Sequence, residues 1–222
     1  IEHAFNRYLK QGQAAYVLVV EGKTEFDALP AAARRLCDLE PNKYRTLENL
    51  GVAVIDAQGE SNIAPMGGFF KSLGKTVFAV FDKQGAAELA AIKAAVDHLY
   101  ESQTKGFEDL VLTQTSETAL RGYAASVVST GDWPPHMAGK APTAATPLKD
   151  LQDALRGYFA WAKGSGDAGD LLASCATAAD MPEYVRDALH AIANVVEPLP
   201  PPPTTAASAA HVAAGTAAPA PR

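Results

Sequence analysis

Tyr16-Val17-Leu18-Val19-Val20 is an unbroken run of β-prone apolar residues that stops on Glu21-Gly22. A run with no polar alternate fits a strand buried on both faces, as in a parallel sheet covered by helices on each side. Comparable runs follow at 51–55 and 76–81, and a shorter one at Leu110-Val111-Leu112-Thr113. Helical spacing fills the gaps. Phe26, Leu29, Ala33 and Leu36 share one face of a predicted helix over 24–39, with Pro30 as a candidate kink. Further helices are predicted over 63–73 (weakened by Gly67 and Gly68), 86–100 and about 117–128. The order β-α-β-α-β-α-β-α specifies an α/β fold with a parallel sheet, whose ligands sit beyond the carboxyl ends of the strands.

Polar residues 1–13 read as a helix entering this domain, and 131–147 is a Pro-, Gly- and Ala-rich excursion. Helical patterns resume over 148–162 and 182–196. Beyond them, residues 198–222 hold almost no large apolar side chain and cannot order themselves as an independent unit. The expected organisation is a catalytic core over 1–130, a helical extension over 131–197 and a Pro/Ala-rich tail over 198–222. Opening on Ile1 rather than Met, the chain reads as a fragment or processed piece.

The strand ends carry the chemistry. The first predicted strand delivers Glu21, the third Asp82, and the fourth runs into Thr115-Ser116-Glu117. Glu25, four residues past Glu21 across a strand-to-helix turn, points into the same crevice if the turn is tight. Carboxylates crowded at one sheet edge repel and raise one another's pKa. A divalent cation removes that penalty, and oxygen-only ligands suit Mg²⁺ or Mn²⁺. The competing reading is that these acids complement helix dipoles, with Thr24 and Asp27 forming a capping box.

Several classes are excluded. Gly22-Lys23-Thr24 lacks the earlier glycine of a P-loop, Val17 standing in its place, and Gly74-Lys75-Thr76 precedes a strand instead of following one. There is no G-x-S-x-G elbow, and the histidines are scattered. Cys37 and Cys175 have no zinc spacing and read as free thiols of a reducing, cytoplasmic compartment. No stretch approaches the roughly 18 apolar residues of a membrane span. A net charge of −6 argues against a general basic coat for nucleic acid, although a carboxylate-lined cation site is acidic by nature.

Val17-Leu18-Val19-Val20-Glu21-Gly22-Lys23-Thr24-Glu25, the turn Asp56-Ala57-Gln58-Gly59, the run Phe69-Phe70-Lys71-Ser72-Leu73-Gly74 and the strand ending in Asp82 together resemble the Toprim domain of the OLD (overcoming lysogenization defect) nucleases. The resemblance spans about 15–175. Toprim strands usually end in Asp-x-Asp at the third position; here Asp82-Lys83-Gln84 keeps the first acid and loses the second. Glu25 and Glu117 are then the expected substitutes. Thr115-Ser116-Glu117 matches the family's polar-x-Glu, and Lys163 its later lysine.

The resemblance implies hydrolysis of DNA phosphodiester bonds with two divalent cations. Glu21, Glu25, Asp82 and Glu117 would be ligands, Thr115 and Ser116 would add a hydroxyl, and Lys163 would neutralise charge on the phosphate. DNA would be held by a local basic surface drawn from Arg34, Arg35, Lys43, Arg45, Lys71 and Lys75. The family further implies an ATPase domain N-terminal to this region, with oligomerisation through that domain. Two alternatives stay open: a non-catalytic Toprim binding or assembly module, favoured by the lost second acid, and a primase- or topoisomerase-like Toprim enzyme.

Overall fold

The computed structural model describes residues 14–162 and 166–198. Its sheet is parallel throughout, in the order β2-β1-β3-β4, with β1 at Tyr16–Val20, β2 at Val52–Asp56, β3 at Thr76–Phe81 and β4 at His98–Glu101. Helices α1 (Lys23–Leu39), α2 (Ile63–Ser72) and α3 (Ala86–Ala95) connect the strands. Five more follow: α4 (Phe107–Gln114), α5 (Glu117–Thr130), α6 (Leu148–Trp161), α7 (Asp167–Ser174) and α8 (Glu183–Val196). The α/β architecture expected from the alternating runs is the one observed. The predicted segment 1–13, the tail beyond Pro198 and Lys163 lie outside the described residues.

Successive strand residues point to opposite faces, and the core divides accordingly. Leu18, Val20, Phe78 and Val80 pack beneath α1 and the helices from α4 onward. Val17, Val19, Val77, Ala79 and Phe81 pack beneath α2 and α3. Both faces of β1 and β3 are dry, which is why their sequences are continuous apolar runs. The helices beyond residue 147 share one continuous core with α1. Gly169 lets α7 lie close against α1, since a Cβ there would stand 3.3 Å from the Asp27 carbonyl oxygen.

The fourth strand is a correction. Residues 110–113 are not a strand but part of α4, where Phe107, Leu110 and Val111 recur at helical spacing on one buried face. The true β4 begins within the segment 86–100 that the sequence pattern predicts as one helix. That helix stops at Ala95, and Asp97 turns back so that Val77 N–H donates to its carboxylate at 2.9 Å. All four residues of β4 are half-buried at the sheet edge, so no apolar run marks them. The excursion at 131–147 contains a 3-10 helix, Pro135–Lys140, and α7 was not anticipated at all.

On the other face, α2 closes tightly on the end of α3. A Cβ at Gly67 would lie 2.6 Å from Val96 Cγ1 and 3.3 Å from the Ala95 carbonyl oxygen. Gly67→Val is therefore expected to destabilise the fold by about 1–3 kcal/mol through overpacking. Thermal melts read this directly, and an unchanged melting temperature would mean that Val96 moves aside freely.

Candidate metal centre

In the order β2-β1-β3-β4 the chain leaves β1 toward one side and returns to β3 on the other, so a crevice opens at the carboxyl ends of β1 and β3. Val20 is in register with Val80, which brings Glu21 and Asp82 out at the same edge. Asp82 N–H donates to Glu21 Oε2 at 3.2 Å. Asp82 Oδ2 in turn accepts from Gly106 N–H at 2.6 Å. Gly106 has φ +87°, a left-handed-region conformation open to glycine without penalty. Tyr184 of α8 braces this edge, its hydroxyl donating to the carbonyls of Tyr100 at 2.7 Å and Phe81 at 3.2 Å.

Two helix starts complete the acidic cleft. Glu25 lies in the first turn of α1 and is only 5% exposed. Glu108 lies in the first turn of α4, where Thr24 Oγ1 donates to its Oε1 at 2.6 Å. The capping box weighed for Thr24 and Asp27 does not form: Asp27 pairs with Lys23, and Gly22 caps the helix without a side chain. Glu21, Glu25, Asp82 and Glu108 line one cleft of about 440 Å³, walled also by Gly59, Phe107, Phe159 and Asp167.

The electrostatics are those of uncompensated negative charge. Burial, joined by repulsion from Asp82, Glu21 and Glu108 and opposed by a backbone hydrogen bond, raises the Glu25 pKa to about 7. Burial likewise raises Glu21 and Asp82, against the backbone N–H bonds they accept. Lys105 is the cation felt by both Glu21 and Asp82.

Glu108 was missed from the sequence. It stands directly before the run mistaken for a strand, and with β4 correctly placed it is the first acid of the helix that follows a strand. The residues proposed in that role lie elsewhere. Glu117 starts α5, pairs with Arg121 at 2.6 Å and does not line the cleft. Ser116 caps α5 through Ala119 N–H and donates to Asp180 at 2.6 Å. Thr115 is buried, its hydroxyl without a hydrogen-bond partner.

The basic candidates are also engaged away from the cleft. Arg34 pairs with Glu48 at 2.5 Å, Arg35 donates to the Cys175 carbonyl at 2.7 Å, and Lys71 pairs with Asp97 at 3.0 Å. Lys43 and Arg45 pair with Glu40 and Glu197, and Lys75, like the others, is not among the cleft-lining residues. Among the described residues, the cation that lines the cleft is Lys23.

The donor set can be tested for fit to a hard divalent cation. Among the described residues no three His, Cys, Asp or Glu side chains stand as a ready-made cage. The chemistry nonetheless fits, because three partly or fully buried carboxylates have pKa values raised by burial and by neighbouring acids, the condition an oxygen-seeking cation relieves.

This geometry coincides with a family boundary. The model of the overcoming lysogenization defect protein-like TOPRIM domain matches residues 14–83, from β1 through Asp82. Residues 14–83 carry an OLD-like Toprim domain. The C-terminal region of the Burkholderia pseudomallei OLD protein superposes with a TM-score of 0.56 at 20% identity, over 83% of this chain and 99% of that one. The C-terminal region of the Xanthomonas campestris pv. campestris OLD protein gives 0.58 at 16% identity, over 83% and 97%. At these identities the Toprim fold, together with the added helices, is what the structures share. Curated proteins provide no match.

Proposed function

We propose that this Toprim domain hydrolyses DNA phosphodiester bonds with Mg²⁺ or Mn²⁺. The observation that carries the reading is the convergence of Glu21, Glu25, Asp82 and Glu108 on one cleft, with burial and mutual repulsion opposing their ionisation. A cation bound there supplies Lewis acidity toward a phosphate oxygen and lowers the pKa of water. Glu21 and Asp82, fixed by adjacent strands, would hold it, joined by Glu25 and Glu108. Thr24 orients Glu108 by donating to one carboxylate oxygen, and Glu108 lines the cleft. Glu25, near its midpoint at neutral pH, would release its proton to solvent as it joined the ligand set.

Lys105 and Lys23 supply positive charge at the cleft, and Lys163 remains a further candidate for contact with the phosphate. The solved neighbours are C-terminal regions of OLD proteins, which supports a further domain N-terminal to this one; that it is an ATPase and carries the oligomerisation rests on the sequence resemblance alone. Among the described residues no helix is long and apolar enough to cross a membrane.

Incubating the chain with supercoiled plasmid tests the reading. Nicked or linear product is expected with Mg²⁺ or Mn²⁺ and none with a chelator present. One observation favours a second reading, a Toprim module that binds or assembles without cutting: Gln84 stands where a second acid is usual. Plasmid left intact at every cation concentration, with DNA retained in a binding assay, would select that module.

A further inference from the structure

Gln84 is not merely an absent carboxylate. Its backbone N–H donates to Glu101 Oε1 at 2.9 Å, which fixes the residue across the ends of β3 and β4. Its side-chain Nε2 lies 3.2 Å from Glu21 Oε2 and 3.1 Å from the Asp82 carbonyl oxygen. Both neighbours are pure acceptors, so the amide nitrogen, not its oxygen, must face them. Glu21 Oε2 also accepts from Asp82 N–H. A carboxylate oxygen has two lone-pair directions, and both are now taken. Glu21 is left with Oε1 for a cation.

Resting on the metal-dependent reading above, we propose that Gln84 is a positioning residue which restricts this centre to a single tightly bound divalent cation. Two cations about 4 Å apart need carboxylate oxygens able to reach both. Glu21 has one oxygen occupied by two protein donors, and Asp82 has Oδ2 committed to Gly106 N–H. An aspartate at position 84 would reverse the polarity of this contact. It would place two acceptors face to face, and that arrangement is relieved by a cation lying between them. The amide achieves the same relief internally with its own two hydrogens. It also holds Glu21 in one rotamer before the cation arrives, as outer-shell donors do for metal ligands elsewhere.

The test is Mn²⁺ binding to the intact chain, followed by isothermal titration calorimetry and by loss of the free-Mn²⁺ electron paramagnetic resonance signal. The wild-type chain is expected to bind one Mn²⁺, and Gln84→Asp two. Gln84→Met keeps the length and removes both donors. It should bind one Mn²⁺ about 10- to 100-fold more weakly. Thermal melts of each variant separate this from unfolding, because loss of positioning alone leaves the cation-free melting temperature near that of the wild type. Two Mn²⁺ bound to the wild-type chain, or wild-type affinity in Gln84→Met, would overturn the inference while leaving the metal-dependent reading in place. A wild-type chain that binds no Mn²⁺ would overturn both.

Discussion

Glu21→Ala and Asp82→Ala are each expected to reduce cation-dependent plasmid cleavage by more than about 100-fold, since even outer-shell partners of metal ligands typically contribute 10- to 100-fold. Both side chains leave adjacent parallel strands at one edge, so neither can be replaced by a neighbour swinging in. The fold should tolerate the losses. Burial opposes ionisation of both carboxyls; Asp82 adds repulsion on Glu21, and Glu108 adds it on Asp82, so losing either acid removes an unfavourable buried charge. Each loss also orphans a donor, Asp82 N–H in one case and Gly106 N–H in the other, at about 1–3 kcal/mol if it stays buried. Asp82→Asn retains an acceptor for Gly106 and separates that structural contribution from the chemical one.

The same assay decides between Glu108 and Glu117. Glu108→Ala should lose cleavage, because its carboxylate faces the cleft and is oriented by Thr24. Glu117→Ala should stay near wild type, because it breaks only an exposed pair with Arg121. The reverse result would restore Glu117 to the centre and remove Glu108. Full cleavage by Glu21→Ala in a folded protein would end the assignment of the whole centre.

What could be read from the sequence follows from which strands are dry on both faces. β1 and β3 lie in the middle of the sheet, so their residues form apolar runs whose ends are sharp, and Glu21 and Asp82 are simply what comes next. β4 pairs on one side only, and His98-Leu99-Tyr100-Glu101 follows a helix with nothing but Val96-Asp97 between them. Short apolar runs do not distinguish a strand from a buried helix by periodicity alone, and Leu110-Val111-Leu112 was of that kind. The misplaced strand carried the fourth acid with it, to Glu117 and away from Glu108. Gln84 illustrates a different limit. The sequence shows that an acid is missing, but only the fold shows that the amide which replaced it donates to Glu21.

Glu25→Gln is expected to stabilise the cation-free protein by roughly 3 kcal/mol at pH 8, the free-energy equivalent of a carboxyl raised from its ordinary 4.5 to about 7. The sign follows from proton release. Below pH 4.5 the carboxyl is protonated in both folded and unfolded chains, and its contribution to stability is complete. As pH rises, the unfolded chain gives up the proton first while the folded chain retains it, so stability falls until the folded group also ionises near pH 7. Glutamine never ionises and escapes that loss. Glu21 and Asp82, also raised by burial, add to the fall in stability with rising pH in wild type and variant alike. Asp97, where Val77 N–H and Lys71 outweigh burial, and Asp180, held down first by Ser116, act oppositely but only below about pH 4. Melting temperatures measured from pH 5 to pH 8 should therefore fall more steeply for wild type than for Glu25→Gln, with the two converging at the acid end. At roughly 2–4 °C per kcal/mol for a chain of this size, the gap at pH 8 is about 6–12 °C. Saturating Mn²⁺ should close it from the wild-type side, because a cation stabilises the ionised carboxylate and offers nothing comparable to the amide. Parallel curves without Mn²⁺ would mean that Glu25 reaches solvent and titrates normally, and its place in the centre would be lost.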